Sequence, residues 1–211
     1  MFFCNRMTIC DGGEMAKRII TISREFGSGG REIGEALAKE LGYTFYDKEL
    51  ICEIAKVSKL SAEFVEKRLE SAPSRSLWSY LLVKRGLDGI SKEDYLFDVQ
   101  KRLIEELADG ENCVIVGRCA NDILRGRKDA FSVFISATEE DKTARIMERY
   151  HLNKKKAKKL CDDTDRKRSS HYNYYTDGVW GMASEYDVTL NSSSIGYEDC
   201  VKIIANLARD L

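Results

Sequence analysis

The chain has 211 residues, 43% hydrophobic and 33% charged, with a formal net charge of −1. That balance predicts a soluble globular domain with one substantial core and argues against nucleic acid as a partner. No apolar run approaches the ~20 residues of a membrane span, and the opening residues lack the basic start and apolar stretch of a secretory signal. Seven cysteines, an odd number scattered through apolar segments, predict reduced thiols and a cytoplasmic setting, and two histidines without a CxxC pair argue against a zinc site.

In chain order, Met1 to Glu14 show no periodicity and precede a second methionine, Met15. They are expected to be an addition to a natural start at Met15, leaving 15–211 as a single domain. A first strand is expected over Arg18 to Ile22, followed by a turn rich in glycine (Gly27, Gly29, Gly30) and a helix over Glu32 to Leu41 with Ile33, Leu37 and Leu41 on one face. Four more short apolar runs fit strands: Tyr43 to Tyr46, Cys113 to Val116, Phe131 to Ile135 and Tyr186 to Leu190. Helices are expected in the long tract between Lys48 and Ala108, over Glu139 to Tyr150, and over Tyr197 to Leu211. Strands alternating with helices predict a parallel sheet covered on both faces.

Two segments are too long or too charged for simple crossovers. Residues 50–109 carry the only proline, Pro73, a serine-rich break over Ser71 to Ser79, and a helical pattern at Tyr95, Leu96, Val99, Leu103 and Leu107. They read as a helical insert over one sheet edge. From Lys142 to Arg168 there are eleven Lys or Arg against four Asp or Glu, net +7, so the remainder of the chain is net −8. Such a run is commonly a solvated helix face. Its concentration in an otherwise acidic chain favours an anion-facing lid, at about residues 150–172.

A glycine turn between a strand and a helix leaves backbone N–H groups converging at a helix N-terminus, which is a physical recipe for holding phosphate. Arginine suits the rest of such a site, because its planar fork binds two phosphate oxygens and stays protonated. Arg118 falls just beyond a strand end, where open parallel sheets bind ligands. Arg166 and Arg168 are close enough to reach one phosphate cluster from a loop or a frayed helix, with Asp165 orienting one of them. Arg145 and Arg149 form an i, i+4 pair that is as readily a solvated face. Tyr172, Tyr174, Tyr175 and Trp180 are expected mainly as packing, and His151 and His171 as lid-surface residues.

These features, in this order, resemble the cytidylate kinases and more closely the cytidylate kinase-like family of P-loop proteins. Gly27-Ser28-Gly29 matches the middle of the phosphate loop, Gly117-Arg118 follows the third strand, and Asp129-Ala130 leads the next, which ends in Ser136-Ala137-Thr138-Glu139-Glu140. Asp162-Asp163-Thr164-Asp165-Arg166-Lys167-Arg168 resembles the Asp/Arg-rich lid. Tyr172-Asn173-Tyr174-Tyr175-Thr176, Trp180-Gly181 and Tyr186-Asp187 resemble later family features. The resemblance spans roughly Ile19 to Leu207 and is patchy in the insert. It implies a three-layer α/β fold of the P-loop NTPase type, with a five-stranded parallel sheet of order 2-3-1-4-5, so that Arg118 faces the Gly27 loop.

By the same resemblance the chain is expected to be an ATP-dependent phosphotransferase, with Mg²⁺ as companion ion and a small phosphate acceptor, a nucleoside monophosphate or another compound. The catalytic set is then Arg31, Arg118, Arg166, Arg168 and Asp165, and the nucleotide set Gly27, Ser28, Gly29, Gly30, Arg31 and Arg145. Asp47 and Arg118 are expected at the acceptor, and Glu32 at the metal. The chain departs from the pattern GxxxxGK[ST]. One register puts Gly30 at the lysine position and Arg24 where the first glycine belongs; sliding by one puts Arg31 at the lysine and Glu32 at the hydroxyl position. Arg31 is expected to supply the missing charge, with Arg24 bracing the loop against an acid as the other possibility. On the acceptor side, Asp47-Lys48-Glu49 replaces Asp-Ser-Gly, Glu53 stands where an Arg is expected, and Cys119 and Cys161 replace an Asp and an Arg. These departures keep open an alternative: a non-catalytic nucleotide- or anion-binding protein with a degenerate loop.

Overall fold

The computed structural model describes residues 18–59, 61, 63 and 92–210. The expected extension at Met1 to Glu14 and the serine-rich break around Pro73 lie outside them. Among the described residues, five strands form one all-parallel sheet: β1 (Ile19–Arg24), β2 (Thr44–Tyr46), β3 (Cys113–Val116), β4 (Ala130–Ser136) and β5 (Val188–Asn191). The spatial order is β2-β3-β1-β4-β5, the order expected from the sequence. Between and after the strands run α1 (Gly30–Leu41), α2 (Lys48–Ser58), α3 (Lys92–Gly110), the short α4 (Ala120–Ile123), α5 (Glu139–Tyr150), α6 (Lys154–Tyr175), the short α7 (Ser192–Ile195) and α8 (Tyr197–Asp210).

Three layers follow from the side-chain alternation of the strands. Ile20 and Ile22 of β1 point to one face, where they meet Val114, Val133, Ile33 and Leu37 of α1, and Val201 and Ile204 of α8. Ile19 points to the other face with Cys113 and Ile115, against Leu50 and Ile54 of α2 and Leu96 and Ile104 of α3. A third, small cluster stands apart. Ile146 of α5 packs with Ala157 and Cys161 of α6, and Phe26 from the glycine turn inserts beside them.

Local chemistry sets the ends of the lid helices. The Thr138 hydroxyl accepts from Asp141 N–H at 3.2 Å, and three carboxylates occupy the first turn of α5, where the helix dipole favours them. His151 closes α5 in a left-handed conformation, and the Asn153 side chain then caps α6 by accepting from Lys156 N–H at 3.0 Å. The lid arginines therefore sit on a continuous 22-residue helix, not on a loop or a frayed end. His171, expected at the lid surface, is buried beside Phe97 and Tyr175. Tyr175 stacks on Phe97 at 4.1 Å and Tyr172 is buried, as the packing reading of these aromatics requires.

No helix among the described residues is long and apolar enough to cross a membrane. Of the described cysteines, Cys52 is exposed, while Cys113, Cys119, Cys161 and Cys200 are buried. Burial pushes the thiols of Cys113 and Cys119 up to about 12, leaving almost no thiolate at neutral pH. Brief iodoacetamide treatment of the folded protein at pH 7.5 should label Cys52 and spare those two, as read by peptide mass spectrometry. Labelling of Cys113 before Cys52 would contradict this packing.

Candidate active site

The turn from β1 to α1 can hold its shape only with glycine at two points. Gly27 and Gly29 have φ of +83° and +80°. A Cβ on Gly27 would stand 2.9 Å from the Lys142 carbonyl oxygen, and one on Gly29 would enter the Tyr197 ring. Gly29 caps α1 without a side-chain hydrogen bond, so the first amides of the helix open toward the cleft. Ser28 is committed within the turn: its hydroxyl donates to the Glu25 carbonyl at 2.9 Å, and its carbonyl accepts from Ser192 Oγ at 2.6 Å.

The lid helices clamp this turn. Asp165 of α6 accepts from Phe26 N–H at 2.6 Å and lies 3.3 Å from Lys142 Nζ and 3.9 Å from Arg168. Burial pushes its carboxyl above the usual range, against the pull of the Phe26 N–H and Lys142. Lys142 also reaches Glu25 at 3.2 Å, and Arg145 donates to the Gly27 carbonyl at 3.0 Å. Arg168 donates to the Arg24 carbonyl at 3.1 Å and lies over the Phe26 ring. Lys142 was visible to sequence reading only as one charge in the basic run.

Above the turn is a cleft of 960 Å³ lined by six guanidiniums and four carboxylates. Of the expected site residues, Gly27, Gly29, Gly30, Arg31, Arg118, Arg145, Arg168, Asp47 and Glu32 all line it. Arg166 does not: two residues along a helix are about 200° apart, so with Arg168 turned inward Arg166 faces solvent, 72% exposed and paired with Asp163. Arg31 donates to Asp47 at 2.8 Å and to Glu35 at 3.3 Å, and its hydrogen bond to Asp47 raises its pKa further. Glu32, the expected metal ligand, holds the Arg149 guanidinium instead. With Ser28 Oγ and Glu32 so committed, the loop side chains do not fit a Mg²⁺ ligand set. Among the described residues no group of three or more His, Cys, Asp or Glu side chains converges for a metal.

A model of the cytidylate kinase-like family matches residues 19–194. The chain belongs to that family. A cytidylate kinase from Thermoplasma volcanium is 25% identical over 190 residues, 89% of each chain. Among solved structures, an uncharacterized protein from Eubacterium ventriosum is 27% identical with a TM-score of 0.69, over 90% of this chain and 97% of that one. Shikimate kinase from Bacteroides thetaiotaomicron is 16% identical with a TM-score of 0.51, over 90% and 96% of the two chains. Shikimate kinase from Acinetobacter baumannii, in complex with shikimate, gives 17% and 0.50 over 92% and 93%. At those identities the likeness to the shikimate kinases speaks for the fold alone. Family and fold together are those of nucleotide-kinase-type phosphotransferases.

In this cytidylate kinase-like chain the Gly-Arg step after β3 has an unusual backbone. Gly117, Arg118 and Cys119 are all left-handed, with φ of +77°, +58° and +55°. Non-glycine residues there cost about 1–3 kcal/mol each and persist where their surroundings fix them. Here Gln100 of α3 donates to the Arg118 carbonyl at 2.9 Å, and Gly117 N–H donates to Ile22 at 2.9 Å. The result aims Arg118 into the cleft. It also opens a second, smaller cavity of 60 Å³ beside Ser23, Cys119, Tyr172 and Trp180. Arg24, Arg118 and Arg168 line both cavities.

Asp165→Ala would leave the Phe26 N–H without its acceptor and remove one of the two carboxylates at Lys142. It should lower stability by about 1–3 kcal/mol in denaturant titration and weaken triphosphate binding as the turn loosens. Arg168→Ala should weaken triphosphate binding at least about tenfold more than Arg166→Ala, as measured by calorimetry. Equal losses from both arginines would contradict the orientation of α6.

Proposed function

We propose that this chain is an ATP-dependent phosphotransferase that moves the γ-phosphoryl group to a nucleoside monophosphate or another small acceptor. The observation that carries this reading is the meeting of two cavities at one set of guanidiniums, those of Arg24, Arg118 and Arg168. Phosphoryl transfer asks little covalent help of a protein. It needs donor and acceptor in line and the charge of the moving group neutralised. In this reading the glycine turn and the first amides of α1 hold the donor phosphates. The Arg145 guanidinium, 4.9 Å above the Tyr197 ring, offers a base one cationic and one aromatic face. The acceptor enters the large cleft on the side of Asp47 and Arg118, and Arg118 and Arg168 neutralise the group in flight. Mg²⁺, the ion the family usually pairs with the triphosphate, would supply further charge neutralisation at the phosphates. The cytoplasm supplies both the ATP and the reducing conditions that suit buried free thiols.

The acceptor side decides between the nucleotide version and another small acceptor. Asp47 is buried at the mouth of the cleft, and a carboxylate there repels a monophosphate unless Arg31 continues to neutralise it. With ATP and Mg²⁺ present, a panel of nucleoside monophosphates and small alcohols should include an acceptor that accelerates ADP release above the background rate. Absence of turnover with every nucleoside monophosphate would remove the nucleotide-kinase version. A second reading, binding without turnover, is favoured by the pairing of Arg31 with Asp47 and of Arg149 with Glu32, since both cations are already neutralised. It requires saturable ATP or ADP binding by calorimetry and no acceptor-dependent rate, and any such rate rules it out.

A further inference from the structure

The glycine at the start of α1 is unexplained by backbone geometry. Gly30 lies in the helix, with none of the positive φ found at Gly27 and Gly29. Glycine at such a position weakens a helix relative to alanine, so something other than conformation must exclude a side chain. The excluding group is Arg24. A Cβ on Gly30 would stand 2.5 Å from the Arg24 Cβ and 3.0 Å from its Cγ. Further out, the Arg24 guanidinium covers Gly117, so that a Cβ there would collide with Nη1. The Arg24 side chain therefore runs from the end of β1 across Gly30 to the backbone beside Arg118, reaching within 3.9 Å of Asp47. Among the described residues it is the one side chain that both crosses the start of α1 and lines the two cavities.

In the register that sets Gly30 at the lysine of GxxxxGK[ST], Arg24 occupies the position of the first glycine. We infer that the chain has exchanged the two: the cation that a phosphate loop carries at the head of its helix is supplied here by Arg24 from the end of the strand, and Gly30 is glycine to leave it room. Arg24, and not Arg31, contacts the γ-phosphoryl group at the junction of the cavities. Arg31 is engaged by both Asp47 and Glu35 and is 42% exposed, whereas the Arg24 side chain is 19% exposed and stands 3.9 Å from Asp47. The backbone of Arg24 is fixed by the Arg168 guanidinium on its carbonyl, so its side chain starts from a set position. This assignment rests on the phosphotransferase reading and deepens it.

The test is calorimetric binding of ATP and ADP to the full chain and to Arg24→Gly, Arg31→Ala, Gly30→Lys and the double variant Arg24→Gly/Gly30→Lys, with thermal unfolding run on each. Arg24→Gly should lose ATP affinity about ten- to a hundredfold and ADP affinity much less, because the γ-phosphate is the group within its reach. Gly30→Lys alone should bind poorly, its side chain colliding with Arg24. The double variant, with the cation back at the head of the helix and its space cleared, should recover most of the lost ATP affinity. Recovery by adding a second change to a weakened protein separates a lost phosphate contact from a merely loosened loop. Full ATP affinity in Arg24→Gly, equal losses of ATP and ADP, a double variant as weak as the single, or a triphosphate-selective loss confined to Arg31→Ala would each overturn the assignment. A wild-type chain that binds neither nucleotide would overturn the phosphotransferase reading itself, and this assignment with it.

Discussion

The arrangement of the cleft depends on one half-buried carboxylate. Asp165 stands where the glycine turn meets the two lid helices, joined to the turn through Phe26 N–H, to α5 through Lys142, and to its own helix through Arg168. Without an acceptor there, the Phe26 amide would be an unpaired donor near the lid's small apolar cluster. That penalty is larger than the net gain of an ordinary hydrogen bond. Half-burying Asp165 is itself unfavourable, as the upward push on its carboxyl indicates, and the two neighbouring cations offset that cost. Helices α5 and α6 are thereby fastened to the glycine turn. Phe26 strengthens the fastening from the apolar side, lodged against Ile146, Ala157 and Cys161.

A second constraint is that the cations gathered at the cleft repel one another and must be held in place by opposite charges. Six guanidiniums line the cleft, and the chain opposes them with its own carboxylates: Asp47 on Arg31, Glu32 on Arg149. Each pair is partly exposed, so each contributes little to stability. Their effect is to keep the cations apart and oriented. On the proposed reading, an entering polyphosphate exchanges partners with these carboxylates and does not meet bare charges. Affinity for the anion is accordingly a difference between two sets of ion pairs, smaller than a count of arginines suggests.

Much of the scaffold was legible in the sequence because it is encoded by short-range patterns. The apolar run at Cys113 to Val116 and the acid-capped amphipathic stretch at Glu139 to Tyr150 coincide with β3 and α5 to the residue. The lid helix was less legible, because α6 buries only Ala157, Cys161, His171 and Tyr172 along its 22 residues. So sparse a stripe barely registers as periodicity, and the same sparseness hid the opposite directions of Arg166 and Arg168. The site was visible in its residue types and not in its pairings. Asp165 bonds across 139 residues to Phe26, and Arg149 across 117 to Glu32. No local pattern announces such contacts, so Glu32 looked available to a metal and Arg31 looked available to a phosphate.

The left-handed run at Gly117, Arg118 and Cys119 gives the remaining reason for a rigid scaffold. Two consecutive non-glycine residues in that conformation would relax if the chain were free to do so. They are held by the Gln100 side chain from α3, by β1 through Ile22, and by the first turn of α4, whose amides bond back to Gly117 and Cys119. That strain is tolerated where it aims a guanidinium at the seam between two cavities. A relaxed backbone would leave the seam lined by Arg24 and Arg168 alone. Tertiary hydrogen bonds brace two points in particular, the amide of Phe26 and the carbonyl of Arg118. These flank the cleft from the lid and from the helical insert. On the proposed phosphotransferase reading, preorganisation at both points leaves little reorganisation when charge develops between them, and this is where electrostatic catalysis draws its advantage.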